Sequence, residues 1–315
     1  MNSPADASTR LAYLGPEGTF TEHALLTQPD LAAMDLMPLE SIPGVLAATS
    51  GRTADMGFAA IENSIEGSVN VTLDTLAFET DLLIQREVVI DVELNLLARP
   101  GVGLSDIDTV LSYPVALAQC RNFLARELPQ VHTQASKSTA GAARTIAEND
   151  VPRTAAIGTA LAAKVHGLDV LATHIEDHPE NQTRFVLVAP DRVPPQTGHD
   201  KTSIVVFQRA DIPGSLLSIL QEFAARAINL SRLESRPTKK ALGDYCFIID
   251  LEGHIADEVV ADCLRELRSK QKDVKFLGSY PAAGEHLESA RRDADATWRK
   301  ADEWLADIRN LVQGD

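Results

Sequence analysis

With 315 residues and 44% hydrophobic content, the chain carries enough apolar material for two or three globular cores, which excludes a disordered or purely solvating polymer. Its 29 Lys and Arg stand against 45 Asp and Glu, and the net charge of -16 opposes nucleic acid and anionic membrane surfaces, so an anionic small ligand has to be held by local donors. Cys120, Cys246 and Cys263 fit neither a disulfide framework nor a CxxC motif, and the N-terminus lacks the basic and apolar regions of a secretory signal. No apolar run reaches the roughly 18 residues of a membrane helix, so the expected location is cytoplasmic.

From Leu11 to about residue 190, short apolar runs alternate with helical stretches: LAYLG then TEHALLTQ, MGFAAIEN then VTLDTLAF, TVLSY then PVALAQCRNFLARE, VHTQAS then TAGAARTIAEN, TAAIG then ALAAKVHG. This rhythm predicts an α/β region with a largely parallel sheet. The long apolar run REVVIDVELNLLA reads as a crossing between two lobes, and NQTRFVLVAP as the return crossing. The linker DRVPPQTGHDK then marks a boundary, with two prolines and a glycine among polar residues.

Beyond it, TSIVVFQ leads into a helix with Leu216, Leu220, Phe223 and Ala227 on one face and then INLSRLESRP. DYCFIIDLEG leads into Val260, Leu264 and Leu267 and then VKFLGSY. Two such halves predict a ferredoxin-like βαββαβ module. From about Ala283, apolar residues including Leu287, Trp298, Leu305 and Leu311 recur at helical spacing, which predicts a terminal amphipathic helix with a neighbouring domain as its partner surface.

In open α/β sheets ligands bind at the carboxyl ends of strands, where helix N-terminal amides attract anions. Thr19, Asn63, Ser64, Ser112, Ser138 and Thr139 all fall at such junctions, and together they predict a polar cleft, although helix capping accounts for any one of them. The pentapeptide Asn181 to Phe185 puts an amide, a hydroxyl, a guanidinium and an aromatic ring into one turn. No GxGxxG, phosphate loop or GxSxG is present, which removes the support for nicotinamide, nucleotide triphosphate and serine-hydrolase chemistry. His174 and His178 lie four apart beside Pro179, and read as a solvated loop rather than a metal site.

GPEGTFT at 15 to 21, IENSIEGSV at 61 to 69, SYPVALAQC at 112 to 120, NQTRF at 181 to 185 and ESRP at 234 to 237 closely resemble the prephenate dehydratase family, in order from about residue 11 to 281. The resemblance implies conversion of prephenate to phenylpyruvate with loss of water and carbon dioxide, and no cofactor. It implies a two-lobed, periplasmic-binding-protein-like catalytic region followed by a ferredoxin-like ACT module that senses phenylalanine. The implied boundaries are a catalytic domain at 1–193 (lobe one about 10–85 and 185–193, lobe two about 88–180), a linker at 194–200, the ACT domain at 201–282 and the helix at 283–315. Since the first dehydratase strand begins near Leu11, a monofunctional enzyme is expected.

By the same resemblance, Thr183 donates to the departing ring hydroxyl. Thr19, Asn63, Ser64, Ser112, Gln119, Ser138, Thr139, Arg184 and Phe185 bind or orient the substrate; a structural ion pair is an equal reading for Arg184, and hinge packing for Phe185. Tyr113 and Val115 depart from the residues many relatives carry. Gly214, Ser215, Leu216, Asn229, Leu230, Glu234, Ser235, Arg236 and Pro237 form or support the amino-acid site between paired ACT modules, which implies a homodimer or homotetramer. Asp211 is the expected cap of the helix that follows. The alternatives are arogenate dehydratase, acting on the amino analogue, and a cytosolic amino-acid sensor without catalysis.

Overall fold

In the computed structural model, which describes residues 9–149, 151–209, 212–239, 244–283 and 304, the chain divides into two compact units at Val193 and Pro194. The first unit begins with β1 (Arg10–Leu14), α1 (Phe20–Leu26), α2 (Pro29–Ala32), β2 (Asp35–Leu39), α3 (Ile42–Ser50), β3 (Met56–Asn63), β4 (Gly67–Ser68), α4 (Asn70–Asp74) and β5 (Leu83–Asp91). These strands and the returning β11 (Gln182–Ala189) form one sheet in the order β2-β1-β3-β11-β5, with β4 hairpinned on β3. Its second lobe holds β6 (Asn95–Ala98), β7 (Thr109–Ser112), α5 (Pro114–Gln119), α6 (Arg121–Glu127), β8 (His132–Ala135), α7 (Thr139–Glu148), β9 (Thr154–Gly158), α8 (Ala160–His166) and β10 (Asp169–Ala172), with the sheet order β10-β6-β9-β7-β8.

The apolar run over 86–98 is thus two strands in two sheets, and β11 is the return path, so the chain crosses between lobes twice. At the hinge the crossings are tied by Val92 N–H donating to Asn181 O at 2.8 Å. Only β2-β1-β3 and β9-β7-β8 are parallel runs; β11 lies antiparallel between β3 and β5, and β6 antiparallel to β9 and β10. Crossing strands have to enter against the local βαβ direction, which is why the sheets are mixed. The sequence reading passed over β2, whose Pro38 breaks the β pattern and is tolerated because β2 is an edge strand. Each lobe has its own core, one around Tyr13, Phe58 and Phe185 and the other around Leu96, Val110 and Ile157.

Thr19, Ser41, Ser138 and Thr159 precede α1, α3, α7 and α8 in extended conformation, and each side chain accepts the amide three residues on. Hydroxyl residues therefore end the strands and start the helices, and the cleft inherits a polar floor from the way the helices begin.

The second unit comprises β12 (Asp200–Phe207), α9 (Ser215–Ala224), β13 (Leu230–Pro237), β14 (Tyr245–Glu252), α10 (Glu258–Lys270) and β15 (Asp273–Pro281). Its antiparallel sheet, in the order β13-β14-β12-β15, is the ferredoxin-like βαββαβ arrangement, packed through Ile204, Val206, Phe247 and Ile249 onto Ile219, Phe223, Val260 and Leu267. The helix α9 stops at Ala224, so Ala227 lies past its end, exposed and at φ 54°, rather than on the apolar face. The expected terminal helix over 283–315 lies outside the described residues except for Ala283 and Trp304. Among the described residues no helix is long and apolar enough to cross a membrane.

Candidate functional site

A cleft of about 390 Å³ in the first unit is lined from both lobes by Thr19, Asn63, Gln119, Ser138, Thr139 and Thr183. Thr183 sits on β11 directly opposite Asn63 of β3. Asn63 Nδ2 donates to Thr183 Oγ1 at 2.9 Å and to Gln182 O at 3.2 Å, while its Oδ1 accepts the amides of Ile65 and Glu66, both at 3.0 Å. Those two amides fix which end of the Asn63 side chain faces Thr183. The Thr183 oxygen is therefore an acceptor for Asn63, and its own proton has no acceptor among the described residues, so it is free for a ligand.

A second chain of bonds spans the hinge. Gln182 N donates to Ser64 Oγ at 2.9 Å, Ser64 Oγ to Asn181 Oδ1 at 3.1 Å, and Asn181 Nδ2 to Gln119 Oε1 at 3.3 Å. Asn181 is 1% exposed, so an apolar replacement leaves Ser64 and Gln119 without their partner. Gln119 spends its carbonyl oxygen here, which leaves Nε2 as the group it offers the cleft.

The loop between β1 and α1 is built from below. The buried Glu22 carboxylate accepts Gly18 N at 2.5 Å and the Tyr13 hydroxyl at 3.2 Å, and burial first, then the Glu22 charge, pushes the Tyr13 phenol well above its ordinary value. Thr19 Oγ1 donates to Leu14 O at 3.1 Å and accepts Glu22 N at 3.2 Å. Gly18 adopts φ 85° and its carbonyl accepts Thr159 Oγ1 at 2.7 Å, which joins lobe one to the start of α8 in lobe two. Ser138 caps α7 by accepting Gly141 N at 2.9 Å.

Four of the sequence-named residues do not line the cleft. Ser112 is fully buried and donates to Ile157 O at 2.7 Å, bridging β7 to β9. Ser64 holds the hinge as above. Arg184 sets Nη1 at 3.2 Å from Glu62 and Nε at 3.0 Å from Glu87, whose side chain is 0% exposed. Phe185 stacks on Phe58 at 5.4 Å within the core. Conversely, Lys137, Glu66, Tyr113 and Val115 do line it, beside the apolar Leu14, Phe20, Val92 and Leu94. Of these the sequence reading named Tyr113 and Val115 but gave them no substrate role, and it passed over Lys137, which directly precedes the hydroxyls of Ser138 and Thr139.

In the second unit Gly214 precedes α9 at φ 89°, and Ser215 Oγ donates to Gln208 Oε1 at 3.1 Å. Asp211 lies outside the described residues. Leu216 packs on the module core, and Asn229 Nδ2 donates to Glu252 at 2.8 Å. On the edge strand β13, Glu234 accepts Arg232 at 2.8 Å and faces Arg236 at 3.6 Å. Leu230 opens this strand, and Ser235 and Pro237 fall on its last turns of alternation, both exposed.

Residues 11–193 match the family described as prephenate dehydratase, and residues 202–269 the ACT domain. A protein of Mycobacterium marinum named prephenate dehydratase is 44% identical over 284 residues, covering 86% of this chain and 88% of its own. The crystal structure of a prephenate dehydratase from Arthrobacter aurescens in complex with L-Phe superposes with a TM-score of 0.85 at 41% identity, over 96% of this chain and all (100%) of that one. A further structure, of a protein described as GqqA, a novel type of quorum-quenching acylase, has a TM-score of 0.77 at 29% identity, over 87% of this chain and 98% of that one.

Proposed function

The chain belongs to the prephenate dehydratase family, and on that premise we propose that it converts prephenate to phenylpyruvate, water and carbon dioxide, with Thr183 as the group that acts on the departing hydroxyl. The observation that carries this reading is the Thr183 oxygen held by Asn63 with its proton turned loose in a two-lobed cleft. The reaction is redox-neutral. As the bond to the ring carboxylate breaks, its electron pair enters the ring, the ring becomes aromatic, and the C–O bond to the hydroxyl breaks. One proton is taken up to complete the water. A threonine hydroxyl is too weak an acid to surrender its proton outright, so Thr183 donates a hydrogen bond to the leaving oxygen and passes a solvent proton through.

In this reading Asn63 orients Thr183, the Gln119 Nε2 donor and the polar rim of Thr19, Ser138 and Thr139 orient the substrate, and the apolar residues cover its ring. Ser64, Ser112, Arg184 and Phe185 act one step back, by fixing the hinge and the strands that carry those groups. An acylase mechanism requires a nucleophile beside a general base. The neighbour of Thr183 is a neutral amide, and among the described lining residues there is no histidine or cysteine. The ACT module takes phenylalanine between paired copies, at the α9 start and β13, in a cytoplasmic homodimer or homotetramer.

The test is phenylpyruvate formation by the purified protein, with phenylalanine as inhibitor and with arogenate and an acylase substrate in parallel, and sedimentation to count subunits. Thr183→Val is expected to lower kcat by about 10²–10³ with KM little changed, while Thr183→Ser retains most turnover. Wild-type kcat in Thr183→Val removes the assignment of the donor. Acyl hydrolysis without prephenate turnover removes the dehydratase reading altogether.

A further inference from the structure

We infer that Lys137 holds the side-chain carboxylate of the substrate, the one that survives into the product, and thereby selects the keto acid over its amino analogue. The inference rests on the dehydratase reading above and deepens it by naming a specificity-determining residue of the same cleft.

A dianion entering a chain of net charge -16 needs a local cation. Arg184, the cation nearest in sequence to Thr183, is already taken by Glu62 and Glu87 and does not line the cleft. Lys137 is the one Lys or Arg among the described lining residues. No carboxylate lies within ion-pair distance of it among the described residues, although acids outnumber bases 45 to 29 in this chain.

Its position is also unfavourable for folding alone. Lys137 directly precedes Ser138, the cap of the ten-residue α7, so it adds a positive charge beside the positive end of a helix dipole. The first-turn amide of Thr139, which also lines the cleft, precedes any intrahelical partner. An ammonium and a free helix-start amide at one corner of the cleft suit one carboxylate group.

Which carboxylate follows from the chemistry. A cation on the departing carboxylate stabilises the ground state and loses its partner as carbon dioxide forms, which raises the barrier. A cation on the side-chain carboxylate is unchanged through the reaction and serves binding alone. The amino analogue carries an ammonium next to that same carboxylate, and Lys137 repels it. Glu66, the acid of the lining, is the only described lining group that offsets this repulsion.

The experiment compares wild type, Lys137→Gln and Lys137→Arg on prephenate and on arogenate, with phenylpyruvate as product inhibitor, at low and high salt. Lys137→Gln is expected to raise KM for prephenate about tenfold, the low end for a charge-assisted bond because the side chain is exposed. The Ki of phenylpyruvate rises by the same factor, kcat changes far less, the salt dependence of KM flattens, and preference for prephenate over arogenate shrinks. Lys137→Arg restores binding. An unchanged KM, or equal losses on both substrates, overturns the assignment. A rise in kcat with unchanged phenylpyruvate Ki places Lys137 on the departing carboxylate instead and overturns it as well. Wild-type protein that does not turn over prephenate overturns the dehydratase reading first and this inference with it.

Discussion

Replacing Arg184 with methionine separates a structural cation from a substrate cation. Arg184 is 11% exposed at its side chain and lies between Glu62, 36% exposed, and Glu87, 0% exposed. The Glu62 contact reaches solvent and contributes at most about 1 kcal/mol. The Glu87 contact is different, because Arg184→Met takes the guanidinium away from a carboxylate buried in the sheet, which costs about 3–5 kcal/mol. With a urea slope of about 2 kcal/mol/M, the unfolding midpoint falls by about 2 M. Far-UV circular dichroism is the probe, since it reads the strands and helices themselves. Pairing Arg184→Met with Glu87→Gln removes the buried charge and recovers most of the loss. KM for prephenate stays near wild type in whatever fraction folds. A midpoint equal to wild type together with a large rise in KM refutes this reasoning and returns Arg184 to the substrate.

Gly18→Ala tests the junction between lobes: a Cβ there sits 2.9 Å from the Ala162 Cα in a backbone at φ 85°. The left-handed conformation costs about 1–2 kcal/mol and the overlap about 1–3 kcal/mol more, so Tm falls and turnover falls with it, because Thr19 is the next residue; an unchanged Tm counts against the close approach. Burial, ahead of the opposing Arg226 charge, pushes the Cys263 thiol from its ordinary value of 9.0 to about 12. Burial, reinforced by Asp177 and Glu176, raises the Cys120 thiol further. The folded chain keeps these protons where the unfolded chain loses them, so stability is full below about pH 9 and declines toward pH 12. Urea midpoints measured from pH 8 upward are expected to fall along that window, and Cys263→Ala to flatten the fall; a wild-type slope in the variant argues against burial as the cause.

The lobes and the second module were legible because alternating apolar runs and helical stretches survive in a single sequence, and in the first unit Thr19 and Ser138, which the sequence marks at strand–helix junctions, are used as caps. The strand β2 was not legible, since Asp35–Leu39 carries a proline and only its edge position makes that acceptable. Strand direction was also hidden. The run REVVIDVELNLLA reads as a crossing and is one, but nothing in it tells that β5 lies antiparallel to β11 and β6 antiparallel to β9 and β10.

Residues 181–185 show where reading a motif as one unit stops working. The pentapeptide reads as a turn, from which Thr183, Arg184 and Phe185 meet one substrate. In the structure β11 already begins at Gln182, so Thr183 and Arg184 are consecutive strand residues and leave the sheet on opposite faces. Thr183 takes the cleft face, where Asn63 meets it. Arg184 takes the other, where Glu62 and Glu87 are waiting. The same alternation explains why the motif needs both residues: the arginine locks β11 between β3 and β5 from behind, and the strand so fixed presents the threonine at one height above the cleft. With Arg184 behind the sheet, the one Lys or Arg among the described lining residues is Lys137, which reaches the same cleft from the β8–α7 junction of the facing lobe.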